Sequence, residues 1–277
     1  MDLRHWAAIG LTVVMAPAFM AAAPANRVPT TGPLFGPPVP AVAPVPTNPA
    51  ATLLLPAQPK PAAEAPAPAP APIDCNVQAC VALTFDDGPS PMTPGLLAAL
   101  ASRDVKATFF VVGTMAQRQP GDVAAIQQAG HVIGNHSYAH PHMRGHAADW
   151  LADQIRRGSD AIAAAGGQPA PLFRPPYGER PGALTQAEVD TGMTGVLWNV
   201  DPQDWADPGA DVIVQRVVAD TKPGSIILLH DLHEGTVDAV PRIIDALRGE
   251  GMTLVTVPEL IGQTPPGTNI FHGPGTA

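Results

Sequence analysis

Residues 81–89 read Val-Ala-Leu-Thr-Phe-Asp-Asp-Gly-Pro, and this stretch decides the fold. Its first five residues form a continuous apolar run, which is typical of a strand that is covered on both faces in a parallel sheet. Two adjacent carboxylates, Asp86 and Asp87, follow where that strand is expected to end. Active sites of α/β folds lie at the carboxyl ends of such strands, although Asp-Gly-Pro by itself more often marks an ordinary turn.

Six further apolar runs follow along the chain, separated by amphipathic stretches. The predicted strands are Val81–Phe85, Ala107–Val112, His131–Asn135, Pro171–Arg174, Thr194–Val200, Ser225–His230 and Thr253–Val257. The predicted helices begin at Thr93-Pro94 and continue with about Gly121–Ala129, Ala147–Ala165, Ala183–Asp190, Asp211–Thr221 and Thr236–Leu247. This alternation indicates an α/β fold with a parallel sheet. The region is shorter than the roughly 250 residues of a complete eight-stranded barrel. We therefore expect a partial or distorted barrel, with an open doubly wound sheet as the alternative.

The composition excludes several classes of protein. The 277 residues include 15 Lys and Arg against 24 Asp and Glu, which gives a formal net charge of -9. A nucleic-acid-binding protein is disfavoured, because nothing would offset the repulsion from phosphates. The 2 cysteines are too few for a disulfide scaffold or a Cys-rich zinc module.

The first residues have the pattern of a secretory signal. Arg4 and His5 precede the apolar run Trp6–Met20, and Ala23-Pro24-Ala25 matches a small-residue cleavage site. We interpret residues 1–25 as a signal peptide, or as a membrane anchor if the segment is not cleaved, although the run is short for a membrane span. We expect an exported protein that is periplasmic, secreted or associated with the cell envelope.

Residues 26–73 are rich in Pro and Ala, with 16 prolines between Pro24 and Pro72. Proline fixes φ and removes a hydrogen-bond donor, so this segment cannot form a packed core. We expect a disordered linker of polyproline-II character, roughly 150 Å long if fully extended. The alternative is a flexible tail that does not act as a spacer. Residues 263–277, rich in Gly and Pro, are expected to form a flexible tail.

The cysteines stand where the folded region begins. In an oxidising compartment we expect Cys75 and Cys80 to form a small disulfide loop. A metal site is the alternative, but two thiols alone do not complete a tetrahedral zinc shell.

Polar side chains also follow four other predicted strands. These segments are Asn-His-Ser-Tyr-Ala-His at 135–140, Arg-Pro-Pro-Tyr-Gly at 174–178, Asp-Pro-Gln-Asp-Trp at 201–205 and Leu-Leu-His-Asp at 228–231. Taken singly, Arg174 is more typical of a structural ion-pair partner and His230 of a core histidine. His136 and His140, four residues apart, can meet one ion if their segment is locally helical. Five such strand ends in a chain with 14% charged residues indicate a common site.

These five segments, in this order, resemble the five motifs of the polysaccharide deacetylases. The family comprises the NodB-homology domains of carbohydrate esterase family 4. The resemblance covers about residues 80–260 and implies a single catalytic domain at 74–262, folded as a distorted (β/α)7 barrel. It also implies hydrolysis of an acetyl group on a sugar.

The resemblance implies a metal site formed by Asp87, His136 and His140. Three protein ligands leave coordination positions open, as in catalytic rather than structural sites. The family binds a divalent metal, mostly zinc and sometimes cobalt or another ion, and this set of ligands does not fix which one.

By the same resemblance, Asp86 is the general base and Arg174 the residue that pairs with it. Arg174 should favour the carboxylate form of Asp86. His230 matches the general acid that protonates the departing amine. Asp204 matches its carboxylate partner, which should raise the pKa of His230.

The resemblance also implies how the substrate is held. The backbone N–H of Tyr177 and the metal should stabilise the oxyanion, and Trp205 and Leu228 should line the pocket for the acetyl methyl group. The expected partner is an acetylated polysaccharide or oligosaccharide, with the oligomeric state unknown.

Three functions compete. The first is a metal-dependent N-deacetylase acting on N-acetylglucosamine units of peptidoglycan or of a chitin-type chain. The second is an O-acetyl esterase on xylan or another acetylated glycan, since both reactions pass through a tetrahedral oxyanion. The third is a non-catalytic wall-binding protein, which the presence of Asp86 and His230 disfavours.

Overall fold

The computed structural model describes residues 73–275. The predicted signal segment 1–25 and the predicted linker, as far as residue 72, lie outside the described residues. Within residues 73–275, every helix is too short or too polar to cross a lipid bilayer.

Strands and helices alternate along the described part of the chain. The strands are β1 Cys80–Asp86, β2 Thr108–Val111, β3 Val132–Asn135, β4 Pro169–Phe173, β5 Thr194–Val196, β6 Ile226–His230, β7 Thr253–Val255 and β8 Asn269–Ile270. The helices are α1 Thr93–Ala101, α2 Gly113–Arg118, α3 Pro120–Gln128, α4 Ala148–Ala164, α5 Gly182–Thr191, α6 Ala210–Asp220, α7 Glu234–Gly249 and α8 Val257–Ile261.

The strands form one parallel sheet that curls on itself. Their order is β6-β1-β2-β3-β4-β5-β8, and β7 pairs with the first residues of β1. Beyond β5, Val200 forms a parallel bridge with Ile227 of β6. This contact brings the two sides of the sheet together, so the strands enclose an incompletely closed barrel. The predicted α/β fold with a distorted barrel is confirmed.

Strand β1 pairs with β2, β6 and β7, and all seven of its residues are buried. Successive side chains of a strand point to opposite faces of the sheet. Val81, Leu83 and Phe85 accordingly pack into the large apolar cluster that includes residues of α1 and α7. Ala82, Thr84 and Asp86 therefore point into the barrel, which explains how an acidic side chain comes to be buried there.

The C-terminal tail differs from the prediction. We expected residues 263–277 to be flexible, but Asn269–Ile270 form β8, which pairs in parallel with β5. The N–H groups of Gly195 and Leu197 donate hydrogen bonds to the carbonyl oxygens of Thr268 and Ile270, at 2.8 Å and 2.7 Å. The edge of β5 would otherwise present unpaired backbone groups, so the tail covers that edge.

Other differences are local. The predicted strand Thr194–Val200 is shorter, since regular pairing in β5 ends at Val196. Helices α2 and α8 were not predicted, because each has too few residues for an apolar period to show. At the other end of the described region, a disulfide joins Cys75 to Cys80, the first residue of β1.

Candidate active site

The register of the parallel strands brings the polar strand ends together. Asp86 at the end of β1 is level with His230 at the end of β6. On the other side of β1, the pairing through β2 and β3 reaches Phe173, which directly precedes Arg174. The segments that the sequence places far apart therefore meet on one rim of the barrel.

Arg174 is fully buried beneath this rim, and its guanidinium has a partner in each direction. Nη1 donates to Asp86 Oδ1 at 2.8 Å and to Thr84 Oγ1 at 2.7 Å. Nε and Nη2 donate to the carbonyl oxygens of Val196 and Leu197, at 3.1 Å and 3.0 Å. Because every direction is satisfied, the cation is fixed in place and holds Asp86 in a single orientation.

The imidazole of His136 is oriented by its backbone surroundings. Its Nδ1 lies 2.6 Å from the carbonyl oxygen of Arg174. A carbonyl can only accept, so Nδ1 carries the proton and donates it, which leaves Nε2 with its lone pair facing the cavity. That nitrogen lies 3.3 Å from Asp87 Oδ1 and 3.7 Å from Asp86 Oδ2.

His140 reaches the same point from a loop. The sequence suggested that His136 and His140 would converge through local helix, but the segment after β3 is not helical. Ser137 and His140 instead have positive φ angles of 66° and 55°. His140 Nε2 lies 3.2 Å from Asp87 Oδ1, so the two rings and the carboxylate still converge.

The donor set of Asp87, His136 and His140 fits a divalent cation. One ligand atom from each lies within 4.8 Å of the others. Asp87 Oδ1 is buried and has no hydrogen-bond partner among the described residues. Burial opposes ionisation of Asp87, but its close contacts with His136 and His140 and the charge of His230 outweigh the burial and hold the pKa of Asp87 well below its usual range. One carboxylate and two imidazoles are the ligand types of catalytic zinc sites.

His230 stands on the opposite side of Asp86 and is held by Asp204. Its Nδ1 lies 2.9 Å from Asp204 Oδ1, and its backbone N–H donates to Asp204 Oδ2 at 2.7 Å. Thr236 Oγ1 also donates to Asp204 Oδ2, at 2.8 Å. Burial disfavours the charged imidazole, but the hydrogen bond and charge of Asp204, with the charges of Asp86 and Asp87, raise the pKa of His230 to about 9.

A cavity of about 500 Å³ opens above these groups. Every predicted site residue outside the disulfide lines it except Arg174 and Asp204, which lie beneath it. The side chains of Tyr177 and Trp205 are 58% and 54% exposed, whereas Leu228 is buried at 4%. The lining therefore combines one buried apolar side chain with two exposed aromatic rings.

Three further residues belong to this cavity, although sequence reasoning gave them no part in the site. Trp198, which lies within the predicted strand Thr194–Val200, lines the cavity, and so do Pro175 and Asp201. Pro175 and Asp201 lie within the segments 174–178 and 201–205, so their position in the sequence could have indicated that they line the site. Nothing in the sequence distinguished Trp198 from a core tryptophan.

The turn that carries Tyr177 is also unusual. Tyr177 has φ 58° and ψ 12° within a single turn of 3₁₀ helix. Its ring stacks on His142 with ring centroids 4.3 Å apart, and it meets the edge of His140 at 4.6 Å. Glu179 joins the two loops, because it accepts hydrogen bonds from His142 Nδ1 and from the backbone N–H of Met143, at 3.0 Å and 2.8 Å.

The chain was compared with known families and proteins. The sequence model of the family described as polysaccharide deacetylase matches residues 74–196. A peptidoglycan-N-acetylglucosamine deacetylase of Bacillus cereus is 38% identical over 188 residues, which cover 66% of this chain and 68% of that protein. This chain belongs to the polysaccharide deacetylase family. A chitooligosaccharide deacetylase of Sinorhizobium fredii is 36% identical over 65% of this chain and 90% of that protein.

Solved structures agree with the family. A family 4 carbohydrate esterase from Streptomyces lividans, in complex with acetate, has 42% identity and a TM-score of 0.63 over 68% of this chain and 97% of that chain. A family 4 pseudoenzyme from Bacillus anthracis has 32% identity and a TM-score of 0.64, over 67% of this chain and 66% of that chain. Members of this polysaccharide deacetylase family therefore include a protein described as a pseudoenzyme.

Some relatives are much longer than the matched region. The peptidoglycan-N-acetylglucosamine deacetylase PgdA of Listeria monocytogenes is 35% identical over 184 residues, which are 66% of this chain but 39% of that protein. The match to that relative therefore concerns about two fifths of its length.

Proposed function

We propose that this polysaccharide deacetylase is a metal-dependent hydrolase that removes N-acetyl groups from N-acetylglucosamine units of an extracytoplasmic glycan. The observation that carries the proposal is the juxtaposition of two groups on one cavity. Three side chains whose ligand atoms suit a divalent ion lie beside Asp86. Asp86 is held by Arg174 and is not one of the three, and its Oδ2 lies 3.7 Å from His136 Nε2.

Asp87, His136 and His140 would hold the ion, with zinc or cobalt as the first candidates. When bound, a divalent ion acts as a Lewis acid toward a carbonyl and lowers the pKa of water. The protein supplies the orientation of the ligands: the carbonyl of Arg174 fixes the ring of His136, and the Ser137 hydroxyl accepts a hydrogen bond from the backbone N–H of His140 at 3.0 Å.

Asp86 is the candidate general base. Its Oδ1 is occupied by the Arg174 guanidinium at 2.8 Å, which leaves Oδ2 toward the cavity. Oδ2 accepts a proton from water while the water oxygen forms a bond to the acetyl carbon. Arg174 holds the carboxylate in the orientation in which Oδ2 can accept this proton.

His230 is the candidate general acid. Its Nδ1 faces Asp204, so Nε2 is the atom available to the cavity. Nε2 donates a proton to the amide nitrogen as the bond between carbon and nitrogen breaks, which gives acetate and a free amine. Because the pKa of His230 is raised to about 9, the ring carries this proton at neutral pH.

The remaining lining groups suit an acetylated sugar. Tyr177 has a left-handed backbone conformation and lines the cavity. The backbone N–H of Tyr177 is the candidate hydrogen-bond donor to the oxyanion. Leu228 and Trp205 offer an apolar surface for the acetyl methyl group, and the exposed rings of Tyr177 and Trp205 offer faces for a pyranose ring.

The site is open to a chain rather than closed around a monomer. A second cavity of about 290 Å³ adjoins the first at Asp87 and His140, and Met115 and Leu232 also line it. Both cavities are lined by Asp87 and His140, so concave surface lies on more than one side of the candidate metal site. This favours a polymer or oligosaccharide such as peptidoglycan or a chitin-type chain, the substrates in the names of the relatives from Bacillus cereus and Sinorhizobium fredii.

A second candidate is an O-acetyl esterase on an acetylated glycan. The likeness to the carbohydrate esterase from Streptomyces lividans, at 42% identity, favours it. The same base and oxyanion donors would serve, but an alkoxide leaving group depends less on a protonated His230 than an amine does.

We also propose that the protein is exported, with residues 1–25 as a signal peptide or membrane tether. The disulfide between Cys75 and Cys80 supports this proposal, because such bonds persist in oxidising compartments. An alkaline phosphatase fusion at residue 73 should be active outside the cytoplasm, and an inactive fusion that stays inside would contradict export.

Acetate release tests the reaction directly. The zinc-loaded protein is incubated with peptidoglycan, chitooligosaccharides and acetylxylan side by side, with Asp86→Asn as the control. We expect acetate and free amines from an N-acetylated glycan. Release from acetylxylan alone would favour the esterase, and no release from any of the three would favour a non-catalytic protein.

A further inference from the structure

A buried acid that lines neither cavity stands next to the candidate general acid. Asp231 directly follows His230 at the end of β6 and is 0% exposed. Its Oδ1 is buried without a hydrogen-bond partner among residues 73–275. Leaving such an oxygen unpaired is costly, and an apolar residue would fill the same space without that cost. The side chain therefore calls for an explanation beyond packing.

The contacts of Asp231 all lead to the segment that follows Asp87. Thr93 Oγ1 donates to Asp231 Oδ2, and Ser90 Oγ donates to the main-chain oxygen of Asp231. Ser90 N–H in turn donates to Thr93 Oγ1 at 2.8 Å. A Cβ at Gly88 would overlap the Asp231 carboxylate, so only glycine allows the backbone to approach so closely.

The segment held in this way fixes the backbone of Asp87. Asp87 has φ 72°, a left-handed conformation that is strained for a non-glycine residue and persists only where the surrounding structure imposes it. On the far side of the same turn, the carbonyl oxygens of Gly88 and Pro89 accept hydrogen bonds from Val112 N–H at 3.1 Å and Gln119 Nε2 at 2.6 Å. Asp231 provides the contacts from the β6 side.

We propose that Asp231 is a positioning residue for the reaction, which holds the turn after β1 against β6 and thereby sets Asp87 relative to His230. The inference rests on the proposed function, because Asp87 matters as a ligand only if a divalent ion binds. Asp231 touches neither ion nor substrate. Its expected effect is on the affinity for metal and on kcat rather than on KM.

Paired variants test this role. Thr93→Val removes the hydroxyl that Asp231 accepts from and keeps the shape of the side chain, whereas Thr93→Ser keeps the hydroxyl. Asp231→Asn removes the charge and keeps the volume. For each, we measure the Kd for zinc by competition with a chromophoric chelator, kcat and KM for acetate release, and the free energy of unfolding in urea. Glu188→Gln is the control, since Glu188 is an equally buried acid that pairs with Arg180 away from both cavities.

We expect Thr93→Val and Asp231→Asn to raise the Kd for zinc by about 10–100-fold, the range found for groups that orient ligands, and to lower kcat with KM nearly unchanged. Thr93→Ser should restore both values. The double variant should be no worse than the more severe single one, because both changes act on the same contact between residues 93 and 231.

Lower stability with wild-type zinc affinity and wild-type kcat in Thr93→Val and Asp231→Asn would overturn the inference. The same loss of zinc affinity in Glu188→Gln would overturn it too, because the effect would then be general. If Asp231→Asn does not fold, the comparison of Thr93→Val with Thr93→Ser decides. A wild-type protein that binds no zinc would contradict the proposed function itself, and with it this inference.

Discussion

Arg174 shows how one buried cation organises the candidate site at the scale of single residues. Its guanidinium bonds to Asp86 and Thr84, which share the inward face of β1 because they are two residues apart. Its own main-chain oxygen accepts from His136. A single residue thus orients the candidate base through its side chain and one candidate ligand through its backbone.

Asp86→Asn tests the assignment of the base. We expect the kcat for acetate release to fall by about 10²–10⁴-fold, because the amide cannot accept a proton from water. Zinc should still bind, since Asp86 is not among the three ligand candidates. The measurements are kcat and zinc content of the same preparation, with circular dichroism to confirm folding. Residual turnover close to that of the wild type would refute the assignment.

Asp204→Asn tests the assignment of the acid through pH. Burial lowers the pKa of His230 and Asp204 raises it; without the charge of Asp204, only the charges of Asp86 and Asp87 oppose the effect of burial, so the pKa falls. His230 must be protonated to act as an acid, so activity disappears as pH rises through its pKa. We expect the alkaline limb of the profile of kcat/KM against pH to move to lower pH, with a greater loss at pH 8 than at pH 6. An unmoved limb would contradict the role of Asp204.

The sequence identifies the site residues whose side chains are of catalytic or metal-binding types. It does not identify residues that contribute only because the fold places them next to such a side chain. Asp86, Asp87 and the two histidines of the third strand end stood out because catalytic and ligating types cluster at strand ends. Thr236, whose hydroxyl donates to Asp204, is an ordinary helix residue in the sequence. Its role depends on how α7 packs against β6, and no local pattern records that packing.

At the scale of elements, the loop that carries the histidines is held by two helices. The first N–H groups of α2, at Gly113 and Thr114, donate to the carbonyl oxygens of Ser137 and Tyr138 at 3.0 Å and 2.8 Å. Helix α4 holds Asn135, whose Nδ2 donates to the carbonyl oxygen of Ile155 at 2.7 Å. The free N–H groups of a helix start are natural partners for such a loop.

Two helical glycines give a matched test of this support. Gly158 of α4 lies so near Asn135 that a Cβ would come within 2.6 Å of Asn135 Oδ1, the atom that accepts from Ser137 N–H. Gly121 of α3 has nothing within 4 Å of that position. Gly121→Ala should raise the free energy of unfolding by about 0.4–1 kcal/mol.

Gly158→Ala should lower the free energy of unfolding, because overpacking costs about 1–3 kcal/mol and exceeds the gain in helix propensity. It should also lower acetate release, since Asn135 must move from the histidine loop. Urea unfolding and turnover measure both effects. Equal behaviour of the two alanine variants would show that α4 does not position this loop.

At the scale of the whole molecule, the strands along the chain could be predicted, but the contacts that close the barrel could not. Alternating apolar and amphipathic segments indicate parallel strands with helical crossovers, and the seven predicted strands are all present. The pairing of β8 with β5 and the bridge from Val200 to Ile227 depend on contacts between residues distant in sequence. A Gly- and Pro-rich tail carries no periodic signal for such contacts.

Removal of the tail tests its part in the fold. A chain that ends at Gln263 loses the hydrogen bonds from Gly195 and Leu197 N–H to the tail. At about 0.5–1.5 kcal/mol for each bond, we expect the free energy of unfolding to fall by about 1–3 kcal/mol. Activity should fall as well, because the carbonyl oxygen of Leu197 holds Arg174. Unchanged unfolding in urea would show that β8 is dispensable.

The central claim is that Asp87, His136 and His140 bind one divalent ion on which hydrolysis depends. The most direct measurement is the zinc content of the protein together with acetate release from an N-acetylated oligosaccharide, before chelation, after chelation and after zinc is restored. We predict about one zinc ion for each chain, loss of acetate release with the metal, and recovery of both on reconstitution. Undiminished release from a protein shown to be free of metal would contradict the claim.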